Sequence, residues 1–161
     1  MNANMAELRG AFESAGFDDV KSVLASGNLV FGANSKSFCL LEQSAEKAMK
    51  KKLGHSFLTI VRAIDELEEL IERDPFKSFR LSAGAKRVVS FLRHAPKPRP
   101  ALPIERDGAR ILALEDLSAF SAYVPSPRGP VFMSLIEKAF GQEVTTRTWD
   151  TVRKVVAAAI R

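Results

Sequence analysis

The stretch DVKSVLASGNLVFGA, Asp19 to Ala33, sets two β-prone apolar runs on either side of Ser26-Gly27-Asn28. Val20 to Ala25 and Leu29 to Phe31 have the residue types that fit a pleated, half-buried surface, and the three residues between them suit a tight turn. A hairpin here makes the sheet antiparallel at this point, and what flanks it decides the rest. Upstream, Asn4 can cap a helix, with Glu7 three residues on to return the bond. Met5, Leu8, Phe12 and Ala15 recur at helical spacing, and Gly16 supplies the stop. Downstream, Ser37 opens a second helix through Phe38, Leu41, Ala45, Ala48 and Met49 that ends near Gly54. Lys50, Lys51 and Lys52 fall in its last turn, where cations complement the helix dipole.

HSFLTIVRA, His55 to Ala63, then reads as a strand, with apolar residues on both faces at Phe57, Leu58, Ile60 and Val61. A third helix spans Ile64 to Glu72 and stops before Pro75. Its acids lie off the apolar stripe of Leu67, Leu70 and Ile71, which places them on a solvated face. Residues 76–86 read as a connector between an N-terminal α+β subdomain, 1–75, and a C-terminal one, 87–161. KRVVSFLRH, Lys86 to His94, reads as the next strand, followed by the proline-rich APKPRPALP, which is extended. Arg110 to Leu114 and Ala119 to Val124 suit an antiparallel pair of strands. A helix from Val131 to Phe140 has Pro130 at its first position and Gly141 as its stop. Thr145 to Arg147 is short and extended, and Thr148 can cap a final helix with Trp149, Val152, Val156 and Ile160 as its buried stripe.

The fold class is therefore α+β in 161 residues, enough for one domain or two small ones. With 46% hydrophobic and 27% charged residues, the chain has the composition of an ordinary globular protein. No apolar run approaches the roughly 20 residues of a membrane span, and the start lacks a signal-peptide pattern. One cysteine, Cys39, cannot close an internal disulfide, so the default address is cytoplasmic. The net charge of +5 permits an anionic partner, nucleic acid included, without requiring one.

Catalytic signatures are sparse. His55 and His94 are solitary, with no Cys or second His at ligand spacing, and no cofactor or metal is expected. Cys39 sits among Phe38, Leu40 and Leu41 and reads as a buried thiol. SAGAK, Ser82 to Lys86, lacks the spacing of a phosphate-cradling loop. An enzyme of familiar mechanism is disfavoured. Two places suit a ligand instead. The turn Ser26-Gly27-Asn28 offers a hydroxyl, an amide and a closely approachable backbone, though a plain hairpin turn needs the same residues. TTRTW, Thr145 to Trp149, combines two hydroxyls and Arg147 with a helix N-terminus, a set suited to an anion. A simple cap with Trp149 in the core explains it too, and Asp150 favours the cap.

MAELRGAFESAGFDDVKSVLASGNLVF (from Met5), RAIDELEELIERDPF (from Arg62) and GPVFMSLIEKAFGQEVTTRTWDTVRKV (from Gly129) together resemble the bacterial domain of unknown function 1697 family across nearly the whole chain. The resemblance implies a first half similar to a ferredoxin-like βαββαβ unit, and Ser26, Gly27, Asn28, Thr145, Thr146, Arg147, Trp149 and Thr151 match its motif positions. It assigns no activity. Members usually begin with a strand and a turn of the type LLRGINVGG, whereas Met1 here falls just ahead of the first helix. The resemblance thus implies a ferredoxin-like unit lacking its first strand. Leu29 to Phe31 and Phe57 to Val61 would then have open inner edges, along which copies of the chain can associate. Three functions follow as expectations. They are a small-molecule or anion-binding protein using the two stretches above, a nucleic-acid-binding module, and a protein-interaction domain acting through a sheet edge.

Overall fold

The computed structural model describes residues 3–25, 27–35, 37–125, 129 and 131–160. The fold is α+β, with five helices and two antiparallel sheets among these residues. It divides into two compact units, Met1–Glu68 with Arg153–Arg161, and Glu69–Val152.

In the first unit, α1 (Met5–Ser14) starts where the Asn4 side chain accepts the Ala6 N–H at 2.8 Å. The hairpin follows as β1 (Asp18–Val23) and β2 (Asn28–Gly32). Its first strand ends two residues earlier than the composition suggests, because Leu24 turns to a φ of 62° and leaves the ladder. The turn thus occupies positions 24 to 27, of which Ser26 lies outside the described residues. Helix α2 (Phe38–Leu53) is capped by Ser37 and closed by Gly54 at a φ of 83°, a left-handed conformation that glycine adopts without a Cβ penalty. Leu8, Ala11 and Phe12 of α1 meet Leu41, Ala45 and Met49 of α2 in the core, with Phe17 and Val61. Phe31 from β2 stacks on Phe17 at 4.5 Å and meets Phe12 edge-on at 5.7 Å.

His55 to Ala63 is the main departure from expectation, for among the described residues it joins no ladder. Among the described residues, strand β2 pairs with β1 alone. Side chains from α2 take up two of the segment's backbone donors. Thr59 N–H donates to Glu46 Oε2 at 3.0 Å, and Val61 N–H donates to Glu42 Oε2 at 2.9 Å. Four residues of helix rise about 6 Å and two residues of extended chain about 6.6 Å, so carboxylates one turn apart can follow alternate N–H groups. Glu42 is 5% exposed. Apolar content led to the expectation of a strand, but a ladder also needs a neighbouring backbone.

Helix α3 (Ile64–Arg73) runs one residue beyond expectation and buries Leu70, with Asp65, Glu66, Glu69 and Glu72 exposed. The second unit holds a five-stranded sheet in the order β4-β5-β6-β3-β7. Its strands are β3 (Lys86–Leu92), β4 (Ile104–Arg106), β5 (Ala109–Glu115), β6 (Ser118–Tyr123) and β7 (Val144–Thr148). Phe76, at the start of the expected 76–86 connector, is 1% exposed and sets its ring against Phe120 and Trp149. On the other face, α4 (Val131–Phe140) packs Phe132, Leu135 and Ile136 against Val88, Ala109 and Ile111. Gly141 ends this helix at a φ of 84°, as expected, while Pro130 lies outside the described residues. Helix α5 (Trp149–Ala159) buries Trp149, Val152 and Val156. Ile160 falls past its end and is exposed, not part of the stripe.

Candidate functional site

The two stretches singled out in the sequence fall in different units. In the first unit, Gly27 takes a φ of 85° and Asn28 opens β2, its side-chain amide donating to the Val23 carbonyl at 3.1 Å. That bond ties the two strands together at the turn. In the second unit, β7 pairs with β3 along Val88↔Thr148, Val89↔Arg147, Ser90↔Thr146 and Phe91↔Thr145. Alternation along a strand then decides which groups converge. Thr146 shares the face of Ser90, and their hydroxyls are 2.8 Å apart. Thr145 and Arg147 lie on the opposite face, with Val89 and Phe120.

Arg147 Nη1 donates to Thr145 Oγ1 at 2.7 Å and to the Thr146 carbonyl at 2.9 Å. Burial holds its pKa below the usual guanidinium value. Thr148 caps α5 as expected, its hydroxyl accepting the Thr151 N–H at 3.2 Å. Trp149 is 4% exposed, with its ring 5.1 Å from that of Phe76. The TTRTW stretch thus supplies a sheet edge, a cap and a core residue, and sends its polar groups to two faces.

His94 Nε2 is 3.5 Å from Glu143 on the surface, and His55 meets the ring of Phe57 edge-on. Cys39 is exposed, contrary to the buried thiol expected. The buried stripe of α2 runs through Leu41, Ala45 and Met49, and Cys39 stands two residues before it, on the other side of the helix. Among the described residues no cluster of three His, Cys, Asp or Glu could hold a metal.

A groove that the sequence did not disclose lies in the second unit. It has a volume of about 750 Å³, within the range of small-molecule sites, and three walls. Pro96, Lys97, Pro98 and Pro100 form one; Ile104, Glu105 and Arg106 of β4 form another; Leu135 and the last turn of α4 through Gly141 form the third. Leu135 is buried, while Ile104, Ala139 and Phe140 are partly buried, so the interior is apolar. Three cations and two carboxylates rim it. Glu105 lies 3.8 Å from Arg110 and Arg106 lies 3.9 Å from Asp107. Lys97, Glu137 and Lys138 have no ion pair among the described residues, which leaves the rim with an excess of free positive charge. Its traces in the sequence were the prolines at alternate positions and Lys138 at the end of an apolar helix.

The sequence pattern of a protein family of unknown function, DUF1697, matches residues 1–113. The chain belongs to that family. The match includes the hairpin and the proline segment and stops before TTRTW, so it is shorter than the resemblance had implied. No curated protein matches the chain. Among solved structures, the conserved bacterial protein SP0830 from Streptococcus pneumoniae is similar over 99% of this chain and 91% of its own, with a TM-score of 0.72. At 18% identity this likeness concerns the fold alone. No helix among the described residues is long and apolar enough to cross a membrane.

Proposed function

We propose that this DUF1697 member is a small-ligand-binding protein that takes an anionic molecule in the groove between the proline segment, β4 and α4. The observation that carries the reading is a concave, largely apolar site with Lys97 and Lys138 in its lining. Apolar walls supply contact area, and a few charged groups orient the ligand. Arg147 and Thr145 offer a second anion-compatible pair, but the guanidinium already donates to Thr145 and to the Thr146 carbonyl. A nucleic-acid role is less well supported. Trp149 is buried and Tyr123 stacks on Phe132 at 4.8 Å, so neither large polar aromatic is free for base stacking. We place the protein in the cytoplasm, a reading that the exposed free thiol of Cys39 supports, since reducing compartments keep such groups intact.

A thermal-shift screen against phosphate, nucleotides, sugar phosphates and short carboxylic acids tests the reading. A ligand at about 100 times its Kd stabilises the native state by about 2.7 kcal/mol. The stabilisation should vanish in Lys97→Ala/Lys138→Ala and persist in Arg147→Ala. The reverse pattern would move the site to the TTRTW strand, and no shift with any anion would defeat the reading.

A further inference from the structure

We infer that the ligand of this groove is a short peptide with a free carboxylate, bound by adding a strand to β4. The inference rests on the binding reading above and names its substrate class. Side chains alternate faces along a strand, yet the consecutive residues Ile104, Glu105 and Arg106 all line the groove. The groove therefore meets β4 along its edge. That edge is an outer one, because among the described residues β4 pairs with β5 alone. Among the described residues, the backbone of Ile104–Arg106 makes no hydrogen bond outside that pairing. Its outward N–H and C=O groups are available to a partner.

The surroundings keep this edge open and limit its length. Pro96, Pro98 and Pro100 have no N–H, so at these three positions the facing wall has no backbone donor for the strand. Beyond β4, Arg99 donates to the Leu114 carbonyl at 2.7 Å and so occupies the edge of β5. What remains is three residues of edge, about 10 Å of extended chain, which suits a tripeptide. Backbone pairing gives affinity in strand addition, and pockets for alternate side chains give specificity. Here the proline rings and Leu135 supply the apolar contacts. Lys97 and Lys138 supply the counter-charge for the carboxylate.

The test is an NMR titration of the isotope-labelled full-length protein with acetyl-Val-Thr-Val bearing a free C-terminus. Amide shifts should concentrate at Ile104–Arg106 and Lys138. Amidating the C-terminus should weaken binding several-fold, and Lys97→Ala/Lys138→Ala should weaken the acid but not the amide. N-methylating the peptide's backbone amides should weaken it at least about tenfold, the equivalent of one good hydrogen bond. An N-methylated peptide that binds as well as its parent, or acetate that matches the peptide, overturns strand addition and leaves the anion reading standing. Groove amides that respond to none of the peptide, acetate or phosphate overturn both. Shifts confined to another part of the molecule overturn the inference too.

Discussion

Ser90 is wholly buried, and its hydroxyl meets that of Thr146 at 2.8 Å across the β3–β7 ladder. A buried hydroxyl stripped of its partner costs more than the bond contributed, whereas removing both partners is nearly neutral. Thr146→Val keeps the shape of the side chain and should cost about 1–2 kcal/mol in urea unfolding. Adding Ser90→Ala should recover part of that loss. A double variant whose loss equals the sum of the losses in Thr146→Val and Ser90→Ala would show that the pair is not coupled. The same pairing shows how the hydroxyls of TTRTW are distributed, which a string of letters does not display. Adjacent hydroxyls look like one site in a string of letters, but in a strand Thr145 and Thr146 point to opposite faces. Alternation was available from the start. What was missing was the knowledge that β3 lies alongside, with Ser90 in register with Thr146.

At the scale of elements, the contact between α2 and the chain from Phe57 to Val61 replaces a ladder with two carboxylates. Glu42 is the buried one, and Arg62 feels its charge as well as that of Glu66. Glu42→Ala would leave the Val61 N–H without its acceptor and remove a negative neighbour of a partly buried guanidinium. A loss of about 2–4 kcal/mol is expected in urea, more than for Glu42→Gln, which keeps an acceptor oxygen. An alanine variant as stable as the parent would mean that water serves Val61 equally well. Helices were legible here because their signals are local. Asn4, Ser37 and Thr148 cap where expected, and α4 spans Val131–Phe140. The antiparallel β5–β6 pair was legible from its two apolar runs. The Phe57–Val61 chain was not, because apolar residue types announce burial without naming a neighbour. Strand β4, three residues after a run of prolines, carried too little pattern to be seen.

Across the whole molecule, the two edges of the hairpin differ. Strand β1 carries Asp18, Asp19 and Lys21 and is interrupted by a bulge between Asp18 and Lys21, both devices that discourage further pairing. Strand β2, NLVFG, has no charge and no proline. Leu29 and Phe31 turn toward the core cluster, while Val30 lies between them on the other face. A second copy meeting β2 edge to edge would build a four-stranded antiparallel sheet about a two-fold axis. Each chain carries +5, so association works against like-charge repulsion that salt screens. Dimer formation through β2 should therefore strengthen as salt rises, whereas nucleic-acid binding would weaken as counterions are released. The two whole-molecule readings respond to salt with opposite sign. Light scattering after size exclusion, across about a tenfold range of ionic strength over which the Debye length shrinks about threefold, separates them. The dimer fraction should grow with salt in the parent and be lost in Val30→Lys, where a charge enters the edge without touching the core cluster. A dimer that survives Val30→Lys would put the interface elsewhere, and a chain that stays monomeric throughout would rule out pairing through β2.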